Sequence, residues 1–123
     1  MIKFGKGNLR VPEWQRPVYA VAGGLTPFRK KFPEYKLEEL CAIAYRQMTQ
    51  ENNLLLSPKE IKGLLNFAAY GEFADHFQDQ LLCEAKVHDY LGLDPLPNIG
   101  IKTGGATGGS TILTAAMAIA SGY

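Results

Sequence analysis

The last stretch of the chain, residues 103–123, contains no charged residue and no histidine. Its apolar side chains, among them Ile112, Leu113, Met117 and Ile119, are spread around the whole circumference of a helix. A helix at a protein surface normally keeps one polar face, because that face contacts water. The sequence therefore predicts a helix that is covered on all sides.

A short strand and a glycine-rich turn precede this helix. Residues 98–102 carry Ile99 and Ile101, glycines follow at positions 104, 105, 108 and 109, and Ser110 or Thr111 is placed to cap the helix. A strand that runs through such a turn into a helix directs unpaired backbone N–H groups and the positive end of the helix dipole to one point. That point favours negative charge, whether a phosphate, a carboxylate or a developing oxyanion.

Length and composition fit one domain with a hydrophobic core. The chain has 123 residues, 46% of them apolar, and a net charge of +1. Basic residues cluster only at positions 29–31, which is more typical of a solvated loop than of a nucleic-acid site. Neither a signal peptide nor a membrane span is indicated, so we expect a cytoplasmic protein. Cys41 and Cys83 lack CxxC spacing and are interpreted as small core side chains, not as metal ligands or a disulfide.

The rest of the chain alternates between strand and helix patterns. Continuous apolar runs at residues 18–24 and 62–70 predict strands covered on both faces, and residues 36–52 and 75–91 show helical spacing. Between them, Ser57, Pro58 and Glu60 have the positions of a cap, an N1 proline and an N3 glutamate, with room for about one helical turn. Together with the last strand and helix, the order βαβαβα predicts an α/β fold with a mainly parallel sheet.

The glycine-rich turn departs from two nucleotide-binding motifs. A P-loop needs a lysine before its Ser or Thr, whereas Gly109 is followed directly by Ser110, and no set of these glycines has the dinucleotide spacing i, i+2, i+5. Residues 105–109 outline a nucleophile elbow with Thr107 in place of serine, but no acid or histidine follows them. The two histidines, His76 and His88, are more typical of exposed or half-buried helix residues than of general bases.

Three segments together resemble the thiolase superfamily, specifically the N-terminal half of its branch similar to sterol carrier and lipid transfer proteins. They are VYAVAGGLTPFRKKFPE at 18–34, EAKVHDYLGL at 84–93, and the strand, turn and helix of residues 99–123. The resemblance implies that residues 17–123 are part of a thiolase-like N-terminal domain and that residues 1–16 are an N-terminal extension. It also implies that the third helix is buried in the middle layer of the fold and that the substrates are acyl-CoA thioesters.

The resemblance places Gly105 where the thiolases have a nucleophilic cysteine in a C-A-S-G turn. Glycine cannot form an acyl-enzyme, but its backbone N–H is expected to contribute to an oxyanion hole, and Thr107 is expected to line the pocket. The implied reaction forms or cleaves a carbon–carbon bond in a coenzyme A thioester. The alternatives are aldolase-type side-chain cleavage of a β-hydroxyacyl-CoA and a non-catalytic structural subunit.

The resemblance ends after the third strand and helix, so it implies that the remainder of a thiolase fold is needed for activity and that this segment is inactive alone. It further implies a dimer and, in this branch, a small partner with a zinc ribbon and an OB-fold. No metal, no covalently bound cofactor and no nucleic acid is expected. An uncovered helix of this composition favours association.

Overall fold

The computed structural model describes residues 14, 16–50, 55–73 and 81–123, and within them the predicted α/β class is confirmed. Most of the proposed extension 1–16 therefore lies outside the described residues, as do His76 and the first part of the predicted helix 75–91. The elements in chain order are α1 (Leu37–Gln50), α2 (Pro58–Leu64), β1 (Ala68–Gly71), α3 (Cys83–Tyr90), β2 (Asn98–Ile101), a 3₁₀ turn (Gly104–Ala106) and α4 (Thr107–Ser121).

β1 and β2 form a parallel pair, as predicted, with Ala68 opposite Asn98 and Gly71 opposite Ile101. The predicted strand at residues 18–24 is wrong, because this segment joins no sheet and is largely exposed. It lies beside helices instead: Leu25 N–H donates to Gln47 Oε1 of α1 at 2.8 Å. An apolar run indicates a need for burial, but a strand forms only where a neighbouring backbone is available for pairing.

The helix predicted at 36–52 is confirmed as α1, whose last two predicted positions lie outside the described residues. It packs against α3, where Cys83 is buried and Cys41 of α1 is half-buried, and neither cysteine is in a disulfide. The core role is thus confirmed for Cys83. Leu81 and Leu82 are not helical as predicted, because Leu82 has a left-handed conformation (φ 54°) immediately before α3.

The start signal at Ser57 is confirmed, but the helix is longer than the one turn that was predicted. Its hydroxyl accepts a hydrogen bond from Glu60 N–H (3.3 Å), and the Glu60 carboxylate accepts one from Ser57 N–H (2.8 Å). The helix that this capping box starts continues to Leu64, so the strand predicted at 62–70 begins only at Ala68. The apolar run was therefore divided between α2 and β1.

α4 begins earlier and is less buried than predicted. It starts at Thr107, so Ser110 and Thr111 lie inside the helix and do not cap it. Only Thr107 and Ala120 are buried, whereas Ile112 is 74% exposed. α4 packs on β1 with one face and no described element covers the other, so cover on all sides is not provided by the described residues and stays a prediction. None of the helices in these ranges is long and apolar enough to span a membrane.

Candidate functional site

The predicted site lies where the two parallel strands end. Glu72 follows β1 and Lys102 follows β2, and the Lys102 ammonium is 2.7 Å from Glu72 Oε1. The Glu72 side chain is largely buried, so this ion pair joins the two strand ends at the edge from which the glycine-rich turn departs. In open parallel sheets, ligands bind in the crevice outside the carboxyl ends of the strands.

Thr107 closes the glycine-rich turn. Its hydroxyl accepts a hydrogen bond from Thr103 N–H at 2.9 Å and donates one to the Gly104 carbonyl at 2.8 Å. Gly104 has a φ of +62°, a conformation that glycine adopts without the steric cost of a side chain. Because Thr107 is buried and its hydroxyl is engaged on both sides, it holds the turn in shape rather than offering a free hydroxyl to a ligand.

Gly105 is exposed within the same turn, two residues before the buried Thr107. Among the residues that the structure describes, no heavy atom beyond its chain neighbours lies within 4 Å of the position that its side chain would occupy. The turn thus leaves open space where the resemblance places a cysteine. Neither the Cys41 nor the Cys83 sulfur lies within 4 Å of this position. No thiol of the chain therefore takes the place of the nucleophilic cysteine that the resemblance implies there.

An apolar groove runs along α4 between Ile112 and Ile119. Its volume is about 510 Å³, and its walls are residues 17–20 on one side and α4 on the other, with Trp14, Ile112, Ala115, Ala116 and Ile119 among the lining residues. The segment that was predicted to be a strand therefore forms one wall of a groove. The groove offers an apolar surface large enough for a hydrocarbon chain, and residues 103–107 of the turn do not line it.

A second polar cluster, which the sequence did not identify as a site, surrounds His88 in α3. Its side chain is only 2% exposed, and its Nδ1 lies 2.8 Å from the Tyr70 hydroxyl of β1. Burial raises the pKa of Tyr70 to about 12, and repulsion from Asp94 and, once they ionise at high pH, from Cys41 and Tyr45 adds to this effect. The interpretation of His88 as exposed or half-buried is wrong. The available signal was its place on the apolar side of α3, where Val87 and Cys83 are also buried.

No group of three or more His, Cys, Asp or Glu side chains in the described ranges is arranged to hold a metal ion. Comparisons of this chain with protein-family models, with curated proteins and with solved structures give no match.

Proposed function

We propose that this chain is the N-terminal segment of a thiolase-like protein that acts on acyl-CoA thioesters and forms or cleaves a carbon–carbon bond next to the thioester carbonyl. The observation that supports it most is the exposed, unobstructed Gly105 in a turn between a parallel strand and a 15-residue uncharged helix. This arrangement suits a carbonyl oxygen that gains negative charge during a reaction.

In the proposed mechanism, the backbone N–H of Gly105 donates a hydrogen bond to the thioester oxygen. This bond strengthens as the carbonyl becomes an enolate, and the positive end of the α4 dipole adds to the stabilisation. Thr107 has a positioning role here, because its two hydrogen bonds keep the turn from rearranging as charge develops. A fixed donor stabilises the transition state without a cost for reorganisation.

The reaction proceeds without an acyl-enzyme at this turn. A thiolase reaction transfers the acyl group to a cysteine, and glycine has no atom that could accept it. Enolate chemistry needs only oxyanion stabilisation and a base. The aldolase-type alternative, in which a β-hydroxyacyl-CoA breaks into a carbonyl compound and a shorter acyl-CoA, is therefore compatible with Gly105. Thiolysis through this turn is not.

We propose that the exposed face of α4 is covered by the remainder of a thiolase fold, which would also supply the base. Ile112, Leu113 and Met117 leave this face apolar and about half or more exposed. The dimer and the partner with a zinc ribbon and an OB-fold that the resemblance implies belong to the same proposal. The segment by itself would then be inactive.

The proposal is tested by assaying the intact gene product with acetoacetyl-CoA plus free coenzyme A, and separately with a β-hydroxyacyl-CoA. Release of an aldehyde or ketone from the second substrate, with no thiolysis of the first, is the expected result. Efficient thiolysis would contradict our assignment of Gly105. Turnover of neither substrate would favour the second candidate, a structural subunit, which the large uncovered face of α4 supports independently.

A matched pair of variants examines the turn directly. Gly105→Cys would place a thiol in open space at the position of the thiolase nucleophile, and Gly109→Cys would place one in equally open space within α4. If the turn binds thioesters, Gly105→Cys should be acylated by acetyl-CoA faster than Gly109→Cys, as measured by intact mass. Equal acylation of the two variants would count against a thioester site at Gly105.

A further inference from the structure

We infer that His88 and Asp94 form a binding site for one divalent transition-metal ion. Asp94 precedes β2, whereas the Gly105 turn follows it, so the inference does not depend on the proposed function. It is carried by the position of the buried His88 ring beside the Asp94 carboxylate.

The first observation is an imidazole nitrogen that has no partner of its own. His88 Nε2 is fully buried and makes no hydrogen bond within the described residues, although leaving such a group unpaired is costly. The nearest counter-charge is Asp94 Oδ1 at 3.7 Å, which is beyond hydrogen-bonding distance. Two donor atoms, each about 2.1 Å from one metal ion at a tetrahedral or wider angle, are separated by about 3.4–3.7 Å.

The second observation is the orientation of the ring by Tyr70. The Tyr70 hydroxyl lies 2.8 Å from His88 Nδ1, and the two rings meet edge to face. A histidine that binds a metal through Nε2 typically donates its Nδ1–H to a neighbouring oxygen, which fixes the tautomer and leaves the Nε2 lone pair free. The Tyr70 oxygen is in the place where this acceptor is needed.

The third observation is space beside the carboxylate. The Asp94 side chain is 69% exposed and lines a crevice of about 390 Å³ together with Asn66 and Lys62. The crevice opens on the Asp94 carboxylate and not on the buried His88 ring, so water molecules would complete the coordination from the Asp94 side, since two side chains alone do not fill a metal's shell. The Lys62 ammonium in the same crevice donates to the Gly92 carbonyl and remains charged, so it is expected to lower the affinity for a cation.

The donor set defines the class of ion. One imidazole and one carboxylate suit Zn²⁺, Co²⁺ or Ni²⁺ better than Ca²⁺ or Mg²⁺, which prefer oxygen ligands only. A bound ion would fasten the segment that carries Asp94 to α3 and, through Tyr70, to β1. We therefore assign the site a structural role in holding the entry to β2.

The test is a titration of the metal-free protein with Zn²⁺, followed by calorimetry, and with Co²⁺, followed by absorption spectroscopy. We expect saturable binding of a single ion, weakened about tenfold or more by Asp94→Asn and about tenfold by Tyr70→Phe. Asp89→Asn is the matched control, because Asp89 is an exposed carboxylate next to His88 on the same helix, and it should bind like the wild type.

Three results would overturn the inference. One is the absence of saturable binding. Another is equal affinity of the Asp94→Asn and Asp89→Asn variants, which would indicate adventitious surface binding. The third is thiolate-to-cobalt charge-transfer absorption, which would place the ion on a cysteine. His76→Gln checks the other histidine of the sequence and is expected to leave the affinity unchanged.

Discussion

Gly71 at the end of β1 and Thr111 in α4 are in such close contact that a methyl group on Gly71 would overlap the Thr111 hydroxyl oxygen. The Thr107 methyl carbon would also be only 3.1 Å from that methyl group. The strand and the helix that carries the Gly105 turn are therefore packed together without spare volume. The absence of a side chain at position 71 sets their separation.

Gly71→Ala is accordingly expected to lower the free energy of unfolding by about 1–3 kcal/mol, the usual cost of overpacking. Gly63→Ala is the matched control, because Gly63 lies within α2 and a methyl group there meets no atom within 4 Å. That substitution should raise stability by about 0.5–1 kcal/mol, since alanine favours helices. Urea unfolding of both variants measures the difference, and a neutral Gly71→Ala would show that β1 and α4 can separate freely.

The ion pair between Glu38 and Lys86 should make stability depend on pH. A hydrogen bond from the Glu38 backbone, and then Lys86, hold the pKa of this carboxyl below its ordinary value against the opposing effect of burial. A carboxyl group whose pKa is lowered on folding stabilises the protein at pH values above its ordinary pKa. This contribution is lost as the pH falls through the folded-state pKa.

Lys86→Met removes the 3.2 Å contact and leaves the buried Glu38 carboxylate without its cation. Because Lys86 itself is half exposed, we expect a loss of about 1–2 kcal/mol at neutral pH, between the values for surface and buried pairs. The loss should shrink in acid, where Glu38 is protonated in both proteins. Denaturant titrations at several pH values test this, with the exposed Lys59→Met as control, and a loss independent of pH would contradict it.

Because its pKa is raised, the Tyr70 hydroxyl is expected to ionise at a higher pH than an ordinary tyrosine. Ordinary tyrosines ionise near pH 10, whereas Tyr70 should ionise near 12. A phenol whose pKa is raised on folding stabilises the protein at pH values below its ordinary pKa. This contribution is lost as the pH rises through the folded-state pKa. Spectrophotometric titration of the wild type and Tyr70→Phe should therefore differ only in the last ionisation step, and a difference near pH 10 would be inconsistent with burial of this hydroxyl.

The apolar face of α4 should drive association of the isolated chain. Ile112→Lys places a charge in the middle of this face and is expected to shift the sedimentation profile toward the monomer. Leu55→Lys is the control, because Leu55 is 94% exposed but lies outside α4. Equal effects of the two substitutions would mean that general solubility, and not this face, controls association.

The elements that sequence predicts best are those whose signal is local. Ser57 and Glu60 satisfy each other's backbone within one turn, so the pattern alone fixed the start of α2. α1 also followed from its periodicity, and it packs on α3 and α2. In both cases the residues that decide the structure are neighbours in the chain.

The failures concern features that depend on distant partners. Residues 18–24 have the composition of a buried strand, yet no described strand pairs with them. The start of α4 was misplaced because Thr107, not Ser110, closes the turn through Thr103 and Gly104, which no cap pattern shows. The cluster of His88 and Tyr70 joins residues 18 positions apart, so only the fold brings it together.

The double role of Thr107 has a mechanical consequence. α4 presents the uncovered apolar face along its length. At its N-terminus, the Thr107 hydroxyl fixes the geometry of the Gly105 turn. A protein surface that packs on this face of α4 therefore also acts on the turn at the N-terminus of the helix. Assembly on this face and the direction in which the backbone amides of the turn point are therefore coupled through α4. A displacement of the helix on assembly is transmitted to the turn, and a displacement of the turn is transmitted to the helix.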